Sequence, residues 1–308
     1  MAAIVVTEFM DETAVARMTA RWPTLYAADL VDRPDDLRAA LADARALIVR
    51  NRTQVDAALL AHAPHLRQVG RLGVGLDNIA LDACAARDVQ VHPATGANDD
   101  AVAEYVVCAT MILLRPAFLM SSQVGAAAWP RDRAIGREIA GAQVGLVGLG
   151  RTAQKTARLL AALGMHVAAF DPMLPGDHPA WQDVERLDLA TLLGRADVVS
   201  LHVPLTSHTR HFIDAAALTL MRHGAVLINA ARGGVVDEAA VAAALIAGRL
   251  GGAALDVFEQ EPLRTEAAKF HGVPNLLLTP HIAGVTEESN VRVSALIATV
   301  ILQALEVA

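Results

Sequence analysis

Residues Gln143–Pro172, QVGLVGLGRTAQKTARLLAALGMHVAAFDP, leave this chain few choices of fold. Val144–Val147 is a short apolar run without charge, the pattern of a strand buried on both faces. Gly148, Gly150 and Ala153 follow as G-x-G-x-x-A. The first permits a tight turn, the second close approach of a backbone to a pyrophosphate, the third close packing of helix on strand. A helix over Arg151–Leu163 aims its free N–H groups at that pyrophosphate, and Gly164 is placed to end it. Met165–Phe170 reads as the next strand and delivers Asp171, 21 residues beyond Gly150. An acid at about that distance is the ribose-binding position of a dinucleotide fold. A lone glycine-rich turn is weak evidence; strand, glycines, helix, strand and acid in order are strong evidence. The charge of Asp171 would repel the extra phosphate of NADP, so NAD is the expected cofactor.

The remaining chain supports an α/β protein of two domains. At 308 residues, with 54% hydrophobic and 19% charged residues, there is ample core and no compositional sign of disorder. A net charge of −7 without a basic run argues against nucleic acid as a main partner. Cys84 and Cys108 lack metal spacing, so no metal is expected, and both read as buried free thiols in a reducing cytoplasm. The opening MAAIVVTEF has no basic n-region and does not read as a signal peptide. Val102–Met120 is the most lipid-like stretch, but Glu104, Arg115 and Pro116 interrupt it, so a core helix is expected and no membrane partner.

From Ile4 to His92, strands at 4–7, 25–28, 46–50, 66–72 and 89–92 alternate with helices at 11–20, 34–43, 53–62 and 77–87. That is an open parallel sheet wrapped by helices. A helix over Asp99–Leu114 opens a second unit, residues 115–142 read as a polar connection, and the glycine fingerprint follows. The apolar helix over 287–305 is assigned back to the first unit. Expected domains are 1–97 with 286–308, and 98–285, with a ligand cleft between them.

Three strands of the second unit end in polar residues. Leu227–Glu238, LINAARGGVVDE, presents Arg232 before two glycines; Gly252–Pro262, GAALDVFEQEP, presents Asp256 and then Glu259 and Glu261; Leu276–Gly284, LLLTPHIAG, presents His281. A histidine can pass a proton to or from a hydroxyl, a carboxylate can orient its ring, and an arginine fork can hold a substrate carboxylate. Nothing local separates Glu259 from Glu261. His62, His65 and His178 lie in polar segments and read as surface groups.

With GLDNI at 75–79, GAND at 96–99, GLGRTA at 148–153, SLHVPLT at 200–206, NAARGG at 229–234, LDVFEQEP at 255–262 and PHIAG at 280–284, the chain resembles the D-isomer-specific 2-hydroxyacid dehydrogenases over nearly its whole length. The resemblance implies a flavodoxin-like substrate domain, a Rossmann NAD domain and a homodimer with the Asp99–Leu114 helix at its interface. It makes Arg232 the substrate-binding arginine, Glu261 rather than Glu259 the partner of histidine, and His281 the acid/base. It makes Asp256 the residue that holds the nicotinamide carboxamide. The implied cofactor set is Gly148, Gly150, Arg151, Thr152, Asp171, His202, Pro204, Thr209, Ala230, Arg232, Asp256, His281 and Gly284. The implied substrate set is Arg50, Asn51, Arg52, the Leu72, Gly73, Val74 and Gly75 loop whose amides receive the carboxylate, Arg232 and His281. Thr152, where an apolar residue is usual, and Ala153 for the third glycine are small departures.

The substrate is expected to be a small 2-hydroxy or 2-keto acid. Glu261 argues against formate dehydrogenases, where glutamine is usual, and a regulatory domain like that of the long phosphoglycerate dehydrogenases is not expected. Arg50 and Arg52 exceed the needs of one carboxylate and suit a second anion, sulfonate or phosphate. EFMDE at 8–12 with RNRTQV at 50–55 resembles the sulfolactate dehydrogenase branch. Because CH2–SO3 outranks the carboxylate, a D-type site would act on (S)-sulfolactate. 3-Phosphoglycerate, glyoxylate or hydroxypyruvate, and an NADH-sensing corepressor role, are the alternatives.

Overall fold

The computed structural model describes residues 2–307 and divides into two compact units, 1–98 with 285–308, and 99–284. In the first, β1 (Ile4–Val6), α1 (Glu12–Thr19), β2 (Thr24–Tyr26), α2 (Pro34–Leu41), β3 (Ala46–Val49), α3 (Ala57–Ala61), β4 (Gln68–Arg71), α4 (Leu81–Ala85) and β5 (Gln90–Pro93) alternate. The sheet is parallel, in the flavodoxin-like order β2-β1-β3-β4-β5. Helices cover both faces, so the strands carry no polar alternation: Ile4, Val6 and Ile48 pack on one face, Val5, Leu47 and Val49 on the other.

Two helices are shorter than their periodicity predicts. The helix expected over 53–62 begins at Ala57, with Asp56 as its cap. The Thr53 N–H is taken by the Glu8 carboxylate, and Val55 forms a bridge with Ile79. The same bridge holds residues 77–80 out of α4.

The second unit holds α5 (Asp99–Leu114), α6 (Ser121–Gly125), β6 (Gln143–Val147), α7 (Arg151–Ala162), β7 (His166–Phe170), β8 (Glu185–Arg186), α8 (Leu189–Arg195), β9 (Val198–Leu201), α9 (Ala215–Leu220), β10 (Val226–Asn229), α10 (Glu238–Ile246), β11 (Gly252–Leu255) and β12 (Leu276–Leu278). Its seven parallel strands run β12-β11-β10-β9-β6-β7-β8, the doubly wound order that reverses between β6 and β9. The edge strand β8 is two exposed polar residues and exists only through pairing with Ala168 and Ala169, so no sequence pattern announces it.

Residues 115–142 are not the simple polar connection expected. They form 3-10 turns and α6 and leave Phe118, Val124, Trp129 and Ile135 exposed, Trp129 to 77%. Cys108 also departs from expectation: it faces outward on α5, while Cys84 is buried. No single helix among the described residues is long and apolar enough to cross a membrane. Half of α5 faces the core, including Val106, Leu113 and Leu114.

The last helix, α11 (Glu287–Val307), belongs to the first unit. It approaches β4 so closely that a Cβ on Gly70 would lie 2.7 Å from Ile297. Ile297 and Ile301 are fully buried there, each worth about 1.5–3 kcal/mol.

Candidate active site

The glycine loop between β6 and α7 lies at the reversal point of the second sheet. Gly148 has φ +92, and a Cβ there would stand 2.9 Å from the His202 carbonyl at the end of β9, so this position is closed to other residues. Gly150 differs. Its φ is −71, and a Cβ would meet nothing within 4 Å. The protein's own packing does not demand glycine there; an open approach to the backbone does. No side chain caps the first turn of α7, which carries no acid. An anion is therefore accommodated by the N–H groups at this end of the helix.

Asp171 ends β7 and braces the loop. One carboxylate oxygen accepts the Leu149 N–H at 2.8 Å, the other those of Met173 and Leu174 at 2.9 and 3.2 Å. Each oxygen has two lone pairs, so the one that accepts from Leu149 keeps a second for a ribose hydroxyl. Arg151 Nε and the Thr152 hydroxyl both donate to the buried Asp99, at 3.1 and 3.0 Å, which ties α7 to α5. Beyond β9, His202 lies 3.0 Å from the Ser200 hydroxyl, and burial pushes its imidazole down to about 4. Thr209 closes the following turn by accepting from Thr206 N–H and donating to the Pro204 carbonyl. These features fit a bound dinucleotide: an open backbone cradle, an uncapped helix start and an acid at the strand end.

Arg232, Glu261 and His281 come together in this unit. Buried Asn229 shapes the first loop: it accepts from Ala231 N–H at 3.1 Å and donates to the Arg232 carbonyl at 3.0 Å, holding Ala230–Arg232 in a turn. Gly233 packs this loop against the next. A Cβ there would fall 1.7 Å from the Phe258 carbonyl oxygen. Glu261 accepts the Phe258 N–H at 2.9 Å and approaches His281 Nδ1 at 2.6 Å. Burial raises the Glu261 carboxyl, but the His281 bond, the Phe258 N–H and the charges of His281 and Arg232 outweigh it and hold the group below its ordinary value. Glu259 turns elsewhere, 3.1 Å from His211.

Asp256, 1% exposed, organises the turn that carries His281. Its carboxylate accepts the Thr279 hydroxyl at 2.6 Å and the Ile282 and Ala283 N–H groups at 2.8 Å. Its carbonyl takes the His281 N–H at 2.8 Å. His281 sits at φ +54, an uncommon conformation held from both sides, and Gly284 ends the segment.

The substrate-type residues of the first unit form a second constellation. Buried Glu8 accepts the N–H groups of Arg50, Arg52 and Thr53 at 2.9, 3.1 and 3.0 Å. Asn78 donates to the Thr53 carbonyl at 2.6 Å, so the loop through Asn51 is clamped from two sides. The Arg52 guanidinium forks onto Asp32, both exposed. Arg50 donates to Asn290 at 2.7 Å and lies over the Phe9 ring. The Leu72 N–H bonds the Val49 carbonyl and the Gly73 N–H the Arg71 carbonyl, while the Arg71 guanidinium folds over Gly73. Val74 and Gly75 are the loop amides that the unit does not itself engage. Glu8, Asn78, Asn229 and Thr279 had no role assigned from sequence. Asn229 and Thr279 are polar residues at the ends of apolar strands, the one signal that could have marked them. No group of three or more metal-ligating side chains occurs among the described residues.

The sequence model of "D-isomer specific 2-hydroxyacid dehydrogenase, NAD binding domain" matches residues 107–283. An (S)-sulfolactate dehydrogenase of Chromohalobacter salexigens is 54% identical over 295 residues, covering 96% of this chain and 95% of that protein. A D-3-phosphoglycerate dehydrogenase of Mycobacterium bovis is 42% identical over 264 residues, 85% of this chain and 50% of that protein. Among solved structures, a D-lactate dehydrogenase of Aquifex aeolicus complexed with NAD and lactic acid superposes with a TM-score of 0.87 at 26% identity, covering 98% and 95% of the two chains.

Proposed function

We propose, for a chain that belongs to the D-isomer specific 2-hydroxyacid dehydrogenases and uses NAD, that its substrate pair is (S)-sulfolactate and 3-sulfopyruvate. The observation that carries this reading is the Arg50–Thr53 loop, clamped by Glu8 and Asn78, which carries two guanidinium groups, Arg50 bonded to Asn290 and Arg52 to the exposed Asp32. The 54% identity to a sulfolactate dehydrogenase over nearly the full length of both chains supports it. 3-Phosphoglycerate, the substrate named for the relative of 42% identity, is the second dianionic candidate.

Bound NAD supplies the hydride acceptor, and the residues supply position and proton transfer. Arg232 holds the substrate carboxylate. His281 uses Nδ1 for Glu261, which leaves Nε2 to take the proton of the substrate hydroxyl during oxidation and return it during reduction. Glu261, kept ionised by its neighbours, stabilises the imidazolium so formed. Asp171 reads the ribose, and the Gly148–Thr152 loop the pyrophosphate.

The exposed apolar side chains of 111–135, Met111, Phe118, Val124, Trp129 and Ile135, are assigned to the homodimer interface, since single soluble chains rarely display such a run. The free Cys84 and Cys108 suit a cytoplasmic setting. The test is NADH absorbance on adding (S)-sulfolactate, (R)-sulfolactate, D-3-phosphoglycerate or D-lactate to enzyme and NAD. The (S)-sulfonate should be preferred. Preference for phosphoglycerate or lactate would overturn the substrate, and NADH binding without turnover of any acid would favour a sensing role.

A further inference from the structure

The left-handed backbone at His281 is not held by that residue itself. Asp256 holds it, through the Thr279 hydroxyl before it and the Ile282 and Ala283 N–H groups after it. Thr279 has a single hydroxyl proton. A carboxylate that already takes two backbone N–H groups can only accept, so that proton points to Asp256 across 2.6 Å. The Thr279 oxygen also lies 2.7 Å from the hydroxyl of Tyr105, on α5. With the threonine proton committed, Tyr105 must be the donor. The chain therefore has one direction: Tyr105 to Thr279 to Asp256, and from Asp256 to the turn of His281. Burial first, and the Asp256 charge with it, raise the phenol above its ordinary value, so the donating proton stays in place.

We propose that Tyr105 is a positioning residue for His281, acting through Thr279 and Asp256. This rests on His281 being the acid/base group. Tyr105 acts at a distance from the reacting groups, through the bond of its hydroxyl to Thr279. A phenylalanine keeps the ring in its packing place against the core and removes only the donor. Thr279 then holds Asp256 with an oxygen that has lost its partner, and a weakened member weakens the rest of a hydrogen-bonded chain.

The test is a double-mutant cycle on full-length enzyme with NAD and its best 2-hydroxy acid. Tyr105→Phe should lower kcat about 3- to 10-fold, the size of one neutral hydrogen bond, with little change in KM for the acid. Thr279→Val should lower kcat at least as much, and Thr279→Ser should restore it. If the relay runs through Thr279, Tyr105→Phe costs nothing further in the Thr279→Val background. Amide hydrogen exchange at Ile282 and Ala283, measured without cofactor, should quicken in Tyr105→Phe. Wild-type kcat in Tyr105→Phe, additive losses in the double variant, or unchanged exchange would each overturn the proposal. His281→Asn separates the two levels: if it loses kcat while Tyr105→Phe does not, the relay alone is wrong; if it keeps kcat, the acid/base assignment is wrong as well.

Discussion

Arg52 is committed to Asp32, and the exchange it must make with a substrate anion sets its contribution to specificity. Both side chains of the pair are more than half exposed, 56% and 55%. Exposed pairs contribute little, commonly less than a factor of about 5 in an equilibrium constant. A charge-assisted hydrogen bond to a bound sulfonate is worth roughly 10- to 150-fold. The exchange therefore favours the substrate, by about 10-fold after the lost Asp32 contact is deducted. Arg52→Ala should lower kcat/KM for (S)-sulfolactate by about that factor and leave D-lactate nearly unchanged. Arg52→Lys should recover part, since lysine cannot fork onto two oxygens. Asp32→Asn removes the competitor and should raise kcat/KM for the dianion by up to about 5-fold. The assay is initial-rate NADH formation at fixed ionic strength, because salt screens an exposed charge. Equal losses on lactate and sulfolactate in Arg52→Ala would refute the reasoning and leave Arg52 as a brace for its loop. Arg50, whose polar partner is the neutral Asn290, would then be the remaining candidate for the second anion.

Asp171→Ala should narrow or reverse the preference for NAD over NADP, read as the ratio of kcat/KM values; equal use of both by the wild type would contradict the role given to Asp171. Gly233→Ala should lower the melting temperature and the activity together, because a methyl 1.7 Å from the Phe258 oxygen forces apart the loops of Arg232 and Glu261. A pH titration of stability should show the His202 effect. Its folded value of about 4 lies below the ordinary 6.5, so the unfolded chain binds the extra proton between them. That stability is complete above pH 6.5 and is lost as the pH falls towards 4, by up to about 3 kcal/mol, and His202→Gln should flatten that part of the curve.

The glycine fingerprint and Asp171 were legible because each answers a local demand of a strand–turn–helix. The β-α alternation was legible because parallel strands buried on both faces are uninterrupted apolar runs. Helix starts were less so. Nothing near Thr53 in the chain says that Glu8, 45 residues earlier, will take its N–H. The pairing of Glu261 rather than Glu259 with His281 was open in the residues and named only by resemblance. In the structure it follows from Gly233, which fixes the Phe258 backbone and turns Glu259 towards His211. Arg52 and Asp32 are far apart in sequence, and so are Tyr105 and Thr279. Long-range polar pairs leave no periodic signal, and these are the contacts that modulate the site.

The central claim is that His281, held by Glu261, moves the substrate proton while the glycine loop independently binds NAD. His281→Asn tests it most directly, since asparagine tolerates the left-handed backbone at φ +54 and preserves the turn. NADH affinity by fluorescence titration and kcat with the preferred acid should be measured on the same preparation. The account predicts that NADH still binds and that kcat is reduced by roughly 10²–10⁴-fold. A kcat close to that of the wild type, with NADH binding intact, would contradict it.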